Sequence, residues 1–116
     1  MIKEPTTKQK NRFKRISELG CIACWLDGVP NVPCDIHHLL SGGRRLGHGF
    51  TVGICPFHHR GIIPEGRKPD EYQAVHGPSL ALKPRAFRVR YGDEEELLAI
   101  QEALLDHYLE QIGVEQ

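Results

Sequence analysis

The sequence has no long apolar run, no internal repeat and no low-complexity stretch. The opening MIKEPTTKQK is charged throughout, so no secretory signal is expected. Nowhere does the chain approach the ~20 consecutive apolar residues that a membrane-spanning helix needs. No membrane partner is therefore expected. Without a secretory signal, the four cysteines read as thiolate ligands in a reducing compartment. Two disulfides are the weaker alternative. Lysine and arginine are missing altogether from residues 93–116, which hold eight acids. The formal net charge of zero thus hides a body, residues 1–92, with fifteen Lys and Arg against seven acids, a net +8. Such a body suits a polyanion such as DNA, although charge alone fits a solvated basic face equally well.

At 116 residues the chain is one domain by size. Twelve glycines and eight prolines leave a thin core, for which a bound metal would compensate. The expected fold class is a small, loop-rich α+β domain. Residues 1–19 form a basic N-terminal arm or helix, residues 20–92 the core, and residues 93–116 an acidic amphipathic helix packed on that core.

Local signals fill in this outline. TTKQKNRFKRISEL, residues 6–19, predicts a basic helix capped by Thr6 or Thr7 and stopped at Gly20, with Phe13, Ile16 and Leu19 as its apolar stripe. Cys34 to Leu40 predicts a short strand with Ile36 and Leu39 or Leu40 inward. Residues 41–49 form a turn-rich connection, Phe50 to Ile54 a second strand, and Cys55 to Arg60 a short helix. Further helices are expected over Lys68 to Val75 and Pro84 to Tyr91. The last helix, Asp93 to Ile112, places Leu97, Ile100 or Gln101, Leu104, Leu105, Tyr108 and Ile112 on one face.

The chemistry concentrates between Cys21 and Arg60. Cys21 and Cys24 make a C-x2-C knuckle, and Cys55 and His58 repeat the spacing as C-x2-H. Two such knuckles predict one tetrahedral structural zinc site, with Trp25 and Leu26 available to pack over it. Cys34 leaves alternatives: it replaces His58, belongs to a second zinc site, or is a small buried hydrophobe. Assigning Cys21, Cys24, Cys55 and His58 to zinc leaves His37, His38 and His59 unused. Neighbours on a strand diverge, so one of His37 and His38 can bind metal while the other faces substrate. A divalent ion held by His37 and His59 would stabilise a pentacovalent phosphate. His38, an imidazole with an ordinary pKa of about 6.5, is suited to take a proton from water.

Together, C-x2-C, I-H-H and C-x2-H-H around a hairpin and helix resemble the HNH, or ββα-metal, endonucleases. The run CIACWLDGVPNVPCDIHHLLSGGRRLGHGFTVGICPFHHRG and the later HGPSLALKPRAFRVRYGDEEELL are most similar to the phage recombination-enhancement (Ref) nucleases. The resemblance covers residues 19 to 98. It implies a zinc-stabilised ββα-metal core, cleavage of DNA with Mg²⁺ or Mn²⁺, and a phage or prophage origin. It also implies work in recombination or repair inside the bacterial cytoplasm, directed by a RecA filament on single-stranded DNA. On it, His38 takes the general-base position, and His37 and His59 the catalytic-metal positions. An Asp stands where His37 is in many HNH enzymes. No Asn lies between His38 and Cys55, so the residue that should orient the base is missing, and His48 or Thr51 stands in. Members with longer chains carry a basic N-terminal extension, a role that only Lys3 to Arg15 can fill here. Arg44, Arg45 and Arg60 are expected phosphate contacts; Arg85, Arg88 and Arg90 either extend that track or form a solvated helix face. The competing readings are a zinc-stabilised DNA-binding module without catalysis, and an adaptor that docks a protein on its acidic helix.

Overall fold

A computed structural model describes residues 4–41, 44, 45 and 47–112, with the backbone alone for 41, 44, 45 and 108–112. The chain runs α1 (Thr7–Leu19), α2 (Ile22–Leu26), β1 (Asp35–His38), β2 (Leu40–Ser41), β3 (Arg44–Arg45), β4 (Thr51–Ile54) and α3 (Pro56–Arg60). Helices α4 (Pro69–His76), α5 (Pro84–Tyr91) and α6 (Glu94–Ile112) complete it. None of these helices is long and apolar enough to cross a membrane.

Helix α1 starts at a capping box. The Thr6 hydroxyl accepts the Gln9 N–H at 3.2 Å, and the Gln9 side chain accepts the Thr6 N–H at 2.8 Å. It ends at Gly20, whose φ of 87° suits glycine and whose absent Cβ would meet the Val32 carbonyl at 2.6 Å. Far from being a loose arm, α1 buries Ile16 completely.

The central unit is a strand, a strand and a helix. Strands β1 and β4 pair antiparallel, from Asp35 opposite Ile54 to His38 opposite Thr51, and α3 follows directly. Between them lies a second, two-residue pairing of β2 with β3, Leu40 opposite Arg45, which joins the end of the expected first strand to the turn-rich connection after it. Leu39 is the inward residue here and Leu40 is exposed. All four residues of β4 are buried, as expected of a strand covered on both faces.

Helices α1 and α6 both close on β4 through polar contacts. The Gln101 carboxamide, fully buried, accepts the Gly53 N–H at 2.8 Å and donates to the Thr51 carbonyl at 2.8 Å. Arg12 donates to the same carbonyl at 2.8 Å and ion-pairs with Glu102 of α6. Gly53 is obligatory for packing, since a Cβ there would lie 2.7 Å from both Cys34 Sγ and Ile16 Cγ2. On α6, Leu97, Gln101 and Leu105 are the buried face, while the expected Tyr108 and Ile112 side chains lie outside the described atoms.

Gln101→Leu keeps the volume but leaves the Gly53 N–H buried without a partner. We expect a loss of about 1–3 kcal/mol, the cost of one such group, read as a lower urea midpoint of the zinc-loaded protein. An unchanged midpoint would show that the carboxamide does not hold α6 to β4.

Candidate functional site

Two clusters of cysteine and histidine side chains flank α3. In the first, Cys21, Cys24, Cys55 and His58 are buried, and their ligand atoms lie within 4.8 Å of one another. His58 Nδ1 is 3.7, 3.4 and 3.2 Å from the sulfurs of Cys21, Cys24 and Cys55, and Cys24 Sγ is 3.8 Å from Cys55 Sγ. A tetrahedral zinc with ordinary bond lengths has S···S edges of about 3.8 Å and S···N edges of about 3.5 Å. The donor set fits zinc.

Both knuckles are built alike. The Cys24 N–H points at Cys21 Sγ and the His58 N–H at Cys55 Sγ, each at 3.4 Å, so α2 and α3 begin on thiolate ligands. His58 Nε2 donates to the His76 carbonyl at 2.7 Å, which leaves Nδ1 free of hydrogen and turned to the metal. Tyr91 joins this second layer, 3.2 Å from His58 Nε2 and donating to Asp27 at 2.6 Å, while Arg90 ion-pairs with the same Asp27 at 3.0 Å. The cover over the cluster is aromatic: Phe57, Phe87 and Tyr91 surround His58. Trp25 and Leu26, expected there, are 36% and 38% exposed, and Trp25 is not among the rings that contact His58.

Charge inside the cluster tells the same story. Hydrogen bonds from Cys21 and Cys24 hold the Cys55 thiol well below its ordinary range, while those to Cys21 and Cys55 push Cys24 far up. For His58, burial disfavours the charged ring, yet the hydrogen bonds and charges of Cys21 and Cys55 raise it to about 10.

Cys34 lies outside this cluster. Its thiol is directed at the Ile16 carbonyl at 3.8 Å, packed over Gly53, and burial pushes it up to about 12. Among the described residues Cys34 joins no group of metal-ligand atoms; the half-buried thiol packs as a small apolar group.

The second cluster pairs histidines that are distant in sequence. His37 Nδ1 faces His59 Nε2 at 3.0 Å, with the rings edge to face. Two nitrogens bound at right angles to one ion at about 2.1 Å would be about 3.0 Å apart. The far side of each ring meets a carboxylate: His59 Nδ1 is 3.4 Å from Asp35, and His37 Nε2 is 3.5 Å from Glu94. At this distance one imidazole can donate to the other, and the same spacing is open to an ion bound by both. Asp35 also receives Arg60 Nε at 3.0 Å. The sequence reading singled out neither carboxylate.

His38 points away from that pair. Its Nε2 is 3.0 Å from His48 Nδ1, both rings pack edge-on against Phe13, and Thr51 Oγ1 donates to the His48 carbonyl at 2.9 Å. Of the two stand-ins for the missing Asn, His48 touches His38, and Thr51 holds His48 through that carbonyl. Arg44 and Arg45 lie on β3, their side chains outside the described atoms. Arg85 and Arg88 are exposed on α5, whereas Arg90 is committed to Asp27.

A strong chelator should abolish the cooperative unfolding transition, and the metal-free chain should rebind one zinc per molecule. Zinc binds cysteine as the thiolate, and a free thiol has an ordinary pKa of about 8.5. The apparent zinc affinity should therefore fall steeply as pH is lowered from about 8 to about 6. An affinity that does not change over that range would contradict a site built on three cysteines.

The family model described as "Recombination enhancement, RecA-dependent nuclease" matches residues 5–106, which include both clusters and every helix but the last turns of α6.

Proposed function

This chain belongs to the recombination-enhancement, RecA-dependent nuclease family, and on that premise we propose that it hydrolyses DNA phosphodiester bonds by HNH-type chemistry. The reading places it in phage- or prophage-directed recombination or repair, on DNA presented with a RecA filament. One observation carries it: His37 and His59, from a strand and the following helix, present facing nitrogens 3.0 Å apart. That is a two-imidazole site for Mg²⁺ or Mn²⁺ on a strand–strand–helix unit, separate from the zinc cluster.

A divalent ion held there would stabilise the charge that develops on the phosphate and the leaving oxygen. His38 is the general base. With its Nε2 proton donated to His48, the lone pair that takes the proton from water is on Nδ1, and His48 fixes the ring. Arg60, more than half exposed and tied to Asp35, contacts a phosphate beside the metal, with Arg44 and Arg45 extending the track. The exposed lysines 8, 10 and 14 of α1, with Arg85 and Arg88 of α5, supply sequence-independent attraction to DNA.

The test is nicking of supercoiled plasmid and of single-stranded circles with Mg²⁺ or Mn²⁺, with and without a RecA filament. We expect cleavage that requires the filament. In His38→Ala it should fall by about 10²–10⁴-fold, the usual worth of a general base, with zinc content and DNA binding retained. Cleavage without the filament would keep the chemistry and reject the dependence. Normal cleavage by His38→Ala would reject the assigned base. DNA binding with no cleavage under any condition would leave a zinc-stabilised binding module.

A further inference from the structure

We infer that Asp35 and Glu94 are the positioning residues of the His37–His59 site, one carboxylate behind each imidazole, fixing which nitrogen faces the ion and supplying negative charge that two neutral ligands lack. The inference rests on the metal-site reading above and extends it to the C-terminal helix.

The two carboxylates arrive by different routes. Asp35 opens β1, two residues before His37, and reaches across to α3, where its Oδ2 is 3.4 Å from His59 Nδ1 and 3.0 Å from Arg60 Nε. Glu94 is the first residue of α6, some sixty positions further along the chain, yet its Oε2 lies 3.5 Å from His37 Nε2, an ion-pair distance that a small shift would close to a hydrogen bond. The start of α6 is held by a reciprocal pair. Asp93 Oδ1 accepts the Glu96 N–H at 2.8 Å, and Glu96 Oε1 accepts the Asp93 N–H at 3.2 Å. That box fixes the backbone from which Glu94 projects.

The sequence gives an ordinary explanation for Glu94, since any acid is favoured in the first turn of a helix. The structure separates it from its neighbours. Glu95 and Glu96 are exposed, whereas Glu94 and Asp35 each keep only 30% of their side-chain surface, beside imidazoles at 14% and 23%. A carboxylate behind a ligating histidine fixes the tautomer and makes the ring a better donor, and losing one usually costs about 10–100-fold in metal affinity.

The experiment titrates zinc-loaded protein with Mn²⁺, reading free Mn²⁺ by electron paramagnetic resonance, for the parent chain and for Asp35→Asn, Glu94→Gln and His37→Ala. Glu95→Gln is the control for loss of one acid from the same turn. We expect Asp35→Asn and Glu94→Gln each to weaken Mn²⁺ binding by about 10–100-fold, with the control unchanged. Zinc content and melting temperature should stay at the parent values. Nicking should need more Mn²⁺ for half-maximal rate and recover at saturation. Mn²⁺ affinities within about twofold of the parent, while His37→Ala loses the site, would overturn the positioning role alone. A parent chain that binds no Mn²⁺ beside its zinc, or a His37→Ala variant that binds it normally, would overturn the metal site and this inference with it.

Discussion

The structure depends first on the cluster of Cys21, Cys24, Cys55 and His58. It ties the α2 turn to the start of α3, two segments about thirty residues apart that share little else. Its outer layer draws in the rest: His58 donates to the end of α4, and Tyr91 and Arg90 of α5 converge on Asp27 after α2. Because His58 and His59 are adjacent on α3, the residue that anchors the helix to the cluster also sets where the next one points. The cluster thereby fixes where His59 points from the helix, and β1 brings His37 to face it. A chain of this size, with so few large buried side chains, gains from the metal what its core does not supply.

Strand β4 is the second junction. Gln101 and Arg12 reach it from opposite ends of the chain and share the Thr51 carbonyl. The ion pair between Arg12 and Glu102 joins the basic first helix to the acidic last one. The uneven charge along the sequence is therefore partly structural. Acids collected at the C-terminus offset cations of α1 in the folded state, and lysines 8, 10 and 14 remain exposed for a polyanion.

Much of this was legible from the residues. Knuckle spacing named the same four ligands that the structure brings together, because C-x2-C and C-x2-H put two donors on one turn wherever they occur. Helix limits followed Thr6, Gly20, Gly61, Gly77 and Gly92, whose conformational preferences are local. The hairpin of β2 and β3 was not legible, since two-residue strands in a glycine-rich stretch carry no periodic signal. That Phe57, Phe87 and Tyr91 are the rings around His58 was not legible either, because tertiary packing sets which rings meet. Asp35 and Glu94 escaped notice for a similar reason. Each has a sufficient local explanation, a strand end or a helix start, and only the fold brings them behind His59 and His37.

The central claim is that one α3 serves two metal centres through consecutive histidines. Anomalous diffraction from crystals of the zinc-loaded protein soaked in Mn²⁺, recorded at both metal edges, tests it most directly. The account predicts a zinc peak among Cys21, Cys24, Cys55 and His58 and a separate manganese peak between His37 Nδ1 and His59 Nε2. A manganese peak bound elsewhere, or zinc ligated by Cys34 in place of His58, would contradict it.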